Sequence, residues 1–165
     1  MKQLIVGKSL EIQLAALLDT LPSDATVSYM VTRLNEGEEA TIVASSKETI
    51  VHTGASMVKT LILEYVFHLA AQEQLDLNDT IALSRSPRVE GAGALMELVG
   101  NHSFSYLELC RLMMVLSDNW ATNLLIQALG MENINARAEQ LGIEHFEINR
   151  MMMDFTAVKE NRENY

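Results

Sequence analysis

Apolar residues at Leu10, Leu14, Leu17, Leu18 and Leu21 recur at helical spacing, with Pro22 just beyond. The spacing predicts a helix over 9–21. From residue 25 to 34 the period changes to two. Val27, Tyr29 and Val31 fall on one face, and Ser28, Met30 and Thr32 on the other. Asn35-Glu36-Gly37-Glu38-Glu39 reads as a turn, and 40–45 is again rich in strand-forming residues, so the pair predicts a hairpin. Beyond His52 the pattern is helical. One long helix is expected over 55–74, followed by a connector in which 79–83 is briefly extended. A short helix is expected over 91–99. Another covers 105–116, with Ser105 and Glu108 spaced as a capping box. Two more cover 121–129 and 131–141, closed by Gly130 and Gly142. The segment 143–149 is a weak strand candidate.

This order predicts a mostly helical α+β domain over 1–165. Residues 1–50 supply a helix and a hairpin, and 51–165 a helical region. A lone two-stranded hairpin is marginal in water. It must therefore pack on the helices, pair with further strands or pair with another chain, and its open edge is a docking site for a second copy of the chain or for a complementing C-terminal segment.

Composition narrows the function. The chain has 165 residues, 48% apolar and 21% charged, which suits one globular core. A net charge of −10 repels phosphate backbones, and Arg85-Ser86-Pro87-Arg88 is too small a basic patch to reverse that, so no nucleic-acid partner is expected. No apolar run is long enough to span a bilayer, so no membrane partner is expected. Residues 1–7 are too short for a signal segment. The chain therefore reads as cytoplasmic, with an exported protein whose signal has been removed as the alternative. Cys110 lies on an apolar helical face and reads as a buried thiol. His52, His68, His102 and His145 lack metal-ligand spacing, and Met151-Met152-Met153 reads as packing under a loop. No metal or organic cofactor is implied.

One pair of motifs suggests chemistry. In Ser56-Met57-Val58-Lys59 the lysine rises three residues after the serine on the same helical face. A serine hydroxyl is a weak nucleophile until a base takes its proton, and a lysine can do so only when neutral. Val58, Leu61, Ile62 and Leu63 are apolar enough to desolvate it. A helix N-terminus also offers backbone N–H groups to a developing oxyanion. Taken alone, the motif is weak, since it arises often by chance and then marks a solvated lysine beside a helix N-cap. Ser117-Asp118-Asn119, between two helices, can project side chains into a cleft, or can simply cap the helix near Trp120.

Together these motifs resemble the Ser-x-x-Lys and Ser-Asp-Asn elements of the class A β-lactamases and the wider penicillin-recognising serine hydrolases. The resemblance extends to Gly54-Ala55-Ser56-Met57-Val58-Lys59, Gly91-Ala92-Gly93-Ala94-Leu95, the stretch from Leu112 through Ser117-Asp118-Asn119-Trp120 to Leu125, and Leu141-Gly142 followed by Asn149-Arg150. It covers about residues 9 to 165 in order. It implies a β-lactamase/transpeptidase-like fold. It implies acylation of Ser56 by β-lactams or related amides and esters, with the Ser56 N–H as half of an oxyanion hole. Lys59 would be the base or proton relay, Ser117 the donor to the leaving nitrogen, and Asn119 a partner for the substrate's amide side chain. Asp118 would anchor its loop.

Two departures qualify the implied activity. The family's deacylating glutamate falls at Met152 in Arg150-Met151-Met152-Met153-Asp154, and a thioether cannot activate water. Asp154 is either a displaced base or a loop carboxylate. The family's Lys-Thr-Gly strand and its neighbours in the sheet are also not found before Tyr165, and 159–165 reads as a cut within a loop. The expectation is therefore a serine acyl hydrolase whose deacylation is in doubt. A catalytically incomplete fragment of the penicillin-binding fold, acting by association, is the alternative.

Overall fold

The computed structural model describes residues 8–34, 37 and 40–164. They fall in two compact units, Met1–Val51 and His52–Tyr165.

In the first unit, α1 (Lys8–Leu18) ends earlier than its leucine spacing suggests. The chain turns there, and the Thr20 hydroxyl donates to the Leu17 carbonyl at 2.6 Å, drawing off a helix-end acceptor. Strands β1 (Tyr29–Arg33) and β2 (Thr41–Ser46) pair antiparallel, with Tyr29 opposite Ser46 and a register shift between Val31 and Thr32. This is the expected hairpin. Of its turn, Gly37 is described, with φ 76°, and Asn35, Glu36, Glu38 and Glu39 lie outside the described residues.

The second unit is built around a buried helix. A 3₁₀ turn, Ala55–Met57, leads into α2 (Val58–Ala71). β3 (Thr80–Ala82) pairs antiparallel with β4 (Ser103–Ser105). Then come α3 (Tyr106–Val115), α4 (Asn119–Leu129), α5 (Met131–Gln140) and α6 (Phe155–Lys159). Every residue of α4 from Asn119 to Ile126 is buried. Such a helix must lie inside the bundle. Its apolar members Leu124, Leu125 and Ile126 join Val58, Ile62 and Val66 of α2, Leu109 and Met113 of α3, and Ile134 of α5 in one core. A bidentate pair, Arg137 with Glu64, ties α5 to α2. The buried polar members of α4 are Asn119, Thr122 and Asn123. Burial obliges each to find a partner, and those partners define the site below.

Several expectations need correction. The second unit is not purely helical. β4 was not foreseen, because three residues are too few to show a period of two. Its pairing is real nonetheless, and the ladder is prolonged by Leu83 N–H to His102 O at 2.9 Å and Tyr106 N–H to Asp79 O at 3.1 Å. The expected helix over 91–99 shrinks to a 3₁₀ turn, Leu95–Glu97. Gly91 (φ 102°) and Gly93 (φ 127°) hold a backbone that no helix contains. Residues 143–149 form no strand. The capping box on α3 is present, with Glu108 N–H donating to Ser105 Oγ and Ser105 N–H to the Glu108 carboxylate.

Candidate active site

Ser56 is exposed on the 3₁₀ turn, while Lys59, one turn on, is only 2% exposed. The change from an open hydroxyl to a buried amine follows from the α2 sequence. Val58, Leu61 and Ile62 enter the core and carry the lysine stem with them. Ser117 sits between α3 and α4 with φ 53°, a left-handed conformation uncommon for a residue with a Cβ. That turn directs its side chain and carbonyl back toward α2.

The four residues singled out in the sequence meet at one amine. Lys59 Nζ lies 2.8 Å from Ser117 Oγ, 2.8 Å from Ser117 O, 3.1 Å from Asn119 Oδ1 and 3.3 Å from Ser56 Oγ. The two hydroxyls are 3.4 Å apart. An ammonium has three N–H groups, and four oxygens surround it. Two of these, the Ser117 carbonyl and the Asn119 amide oxygen, can only accept. A neutral amine satisfies the same set differently. Its two N–H groups serve the carbonyl oxygens, and its lone pair accepts the Ser117 O–H. Ser117 Oγ is then free to accept the Ser56 O–H. The geometry thus supports a proton path from Ser56 through Ser117 to Lys59. Burial holds the lysine pKa below the ordinary 10.5, while the negative charge of Asp118 pulls it upward. Desolvation is the larger effect.

Asp118 supports this arrangement from behind. It is 1% exposed, and its carboxylate collects three backbone donors. Oδ2 accepts Ala94 N–H at 2.7 Å and Leu95 N–H at 2.9 Å, and Oδ1 accepts Ala121 N–H at 2.9 Å, capping α4. Anchoring and capping are therefore done by one residue. Gly93 makes room for it, since a Cβ there would lie 2.3 Å from Asp118 Cγ. Asn119 N–H donates to Ala92 O at 3.0 Å, so the 92–95 loop is bound to both Asp118 and Asn119 of the second motif.

The position expected for a deacylating acid is held firmly, although it carries no acid. Asn123 of α4 grips the Met152 backbone both ways, donating to its carbonyl at 3.1 Å and accepting its N–H at 2.8 Å. Asp154 caps α6, with Oδ1 accepting Ala157 N–H at 3.0 Å. Among the described residues no hydrogen bond joins it to Ser56, Lys59 or Ser117. A cleft of about 320 Å³ opens between Arg88, Val89 and Glu90 on one side and Met152, Met153, Asp154 and Phe155 on the other. Among the described residues no group of three His, Cys, Asp or Glu side chains could hold a metal ion. Cys110 is buried, and its thiol is pushed up to about 11 by burial.

Sequence reading overlooked the amides. Asn123 was seen only as part of a similar stretch, and Asn164 only as part of the loop read over 159–165, yet both are buried and hydrogen-bonded. The one available signal for Asn123 was its place, four residues after Asn119 on a mostly apolar helix.

Replacing Asp118 by Asn leaves one acceptor oxygen for backbone donors on two different segments. At least one buried N–H then loses its partner, at about 1–3 kcal/mol. Urea denaturation followed by the fluorescence of the adjacent Trp120 should register that loss for Asp118→Asn. Unchanged stability would contradict the anchoring role.

Comparison with known proteins places this chain in a family. Residues 9–165 match the beta-lactamase enzyme family. The beta-lactamase BRO-1 of Moraxella catarrhalis is 31% identical over 97 residues, which is 54% of this chain and 31% of that protein. Among solved structures, a PBP-A mutant described as an acyl-enzyme complex with penicillin G superposes with a TM-score of 0.75 at 26% identity, over 90% of this chain and 55% of the other. A beta-lactamase from Sphaerobacter thermophilus DSM 20745 superposes with a TM-score of 0.65 at 27% identity, over 74% and 45%. The chain thus spans about a third of the curated relative and about half of the solved ones. With its nearly full-length match and its shared β-lactamase/penicillin-binding-protein fold, the chain belongs to the beta-lactamase enzyme family.

Proposed function

We propose that this chain carries the acylating centre of a serine hydrolase that recognises β-lactams or related amides and esters. The observation that carries the reading is the buried Lys59 amine within hydrogen-bond reach of both Ser56 Oγ and Ser117 Oγ. Ser56 Oγ attacks the carbonyl carbon, and its proton passes to the Lys59 lone pair, directly or through Ser117. A C–O bond forms and the carbonyl becomes an oxyanion, facing the Ser56 N–H. The C–N or C–O bond to the leaving group then breaks. The leaving atom takes the Ser117 proton, which Lys59 replaces, so the amine ends neutral. Asn119 is the partner for the substrate's amide side chain, and the cleft beside Met152 and Met153 is suited to the group attached to it.

Hydrolysis of the acyl-enzyme needs a base aimed at water. Met152 offers none, and the Asp154 carboxylate is engaged with the start of α6. The adduct therefore persists. The test is intact-protein mass after incubation with excess penicillin, alongside Ser56→Ala. The expected result is one penicillin added to the wild type, stable over hours, and none to Ser56→Ala. An adduct on both, or on neither, would overturn the assignment of Ser56 in this chain.

A second reading is favoured by the first unit. β1 and β2 pair only with each other among the described residues, and Met30, Ile42 and Leu34 are exposed at 52%, 56% and 84%. Association through this sheet, with a second copy or a complementing segment, would cover them. Sedimentation at high micromolar concentration should then show a species heavier than the monomer, and a monodisperse monomer would refute self-association.

A further inference from the structure

The segment 149–164 of the second unit is closed where its two ends meet. Asn164, 2% exposed, makes that closure. Its Oδ1 accepts Asn149 N–H at 2.9 Å and Arg150 N–H at 3.1 Å, and its Nδ2 donates to Arg150 O at 3.2 Å. Asn149 Nδ2 donates to Glu163 O at 2.9 Å, and the Arg150 guanidinium pairs with the Glu163 carboxylate at 2.8 Å. The same Asn164 also acts through its main chain, where its carbonyl accepts Gly54 N–H at 2.7 Å. Gly54 opens the turn that presents Ser56, and its own carbonyl accepts Met57 N–H at 2.8 Å. Ala55, between Gly54 and Ser56, is held at φ 43°. A residue with a Cβ keeps that conformation only when its surroundings impose it. The bond from Gly54 to Asn164 is a direct restraint on the approach to Ser56.

We propose that Asn164 is a positioning residue for Ser56. Its side chain closes the 149–164 loop, its carbonyl fixes the turn carrying the nucleophile, and closure of the loop is thereby coupled to the reach of Ser56 toward substrate. The rate consequence rests on the acylation reading above; the restraint itself does not.

Asn164→Ala removes all three side-chain bonds at the neck. Two readouts separate the issues: the rate of penicillin acylation and amide hydrogen exchange. The expected result is a fall of about 10- to 100-fold in acylation, since small misplacements of a reacting group are worth that much. Exchange should quicken at 149–150 and also at 54–57, while α4 stays protected. Asn164→Asp keeps both accepted N–H bonds and should stay within a few-fold of wild type. Gly54→Pro attacks the other end. Gly54 has φ −68°, which a proline ring adopts, so the change deletes the donor and leaves Asn164 in place. It should lower acylation comparably. Wild-type acylation in Gly54→Pro, or fast exchange confined to 149–150 in Asn164→Ala, would overturn the proposal. So would an Asp variant as impaired as the Ala variant. Should Asn164→Ala fail to fold, Gly54→Pro decides. If the wild type forms no adduct at all, the acylation reading fails, and exchange at 54–57 alone decides this inference.

Discussion

A primary amine at 2% exposure is the constraint around which this site is arranged. Water would hydrate Lys59 far better than any protein pocket. Its burial is tolerable only because four oxygens surround it and because it can shed its proton. Everything that sets those oxygens in place follows from this demand. The left-handed turn at Ser117 brings a hydroxyl and a carbonyl together on the amine, and the first turn of α4 adds an amide. The Ser56 hydroxyl stays at the surface, and the Lys59 amine stays where water cannot compete.

The support is mostly backbone held by short polar side chains. Asp118 joins the 92–95 loop to the start of α4, Asn123 fastens Met152, and Asn164 closes the loop that follows Asn149. Two of these three side chains, Asn123 and Asn164, are amides that donate and accept at once, so they fix irregular chain without introducing a charge. Their rigidity has a chemical consequence. Met152 is not a loosely placed side chain awaiting a role. It occupies a backbone position held as tightly as a catalytic residue would be, with a thioether where the resemblance leads one to expect an acid.

How much of this was legible beforehand depended on length and on locality. Helices α2 to α5 announce themselves through apolar spacing and through caps such as Ser105 with Glu108, because those signals are local. The hairpin is legible for the same reason. β4 is not, because three residues carry no period, and the helix expected over 91–99 fails because Gly91 and Gly93 make room for distant partners, Asn119 and Asp118 respectively. The site divides similarly. Ser56 and Lys59 could be paired from helical geometry, and Ser117 and Asn119 were added by resemblance. The structure brings all four to one amine. Asn123 and Asn164 act across 29 and 15 positions of chain, and no local pattern marks such contacts.

The central claim is that Lys59 is a desolvated amine able to exist without its proton. In the folded chain its pKa lies below the ordinary lysine value, so between the two values the unfolded chain binds the extra proton. Burial of Lys59 therefore opposes folding most below the folded pKa, and that opposition is relieved as pH rises toward 10.5. Direct titration by NMR of the Lys59 side-chain carbon next to Nζ, assigned by its loss in Lys59→Arg, tests this most simply. The account predicts a midpoint clearly below 10.5. A midpoint at or above 10.5 would mean that the amine stays charged within its ring of oxygens, and the proton path from Ser56 would have no acceptor.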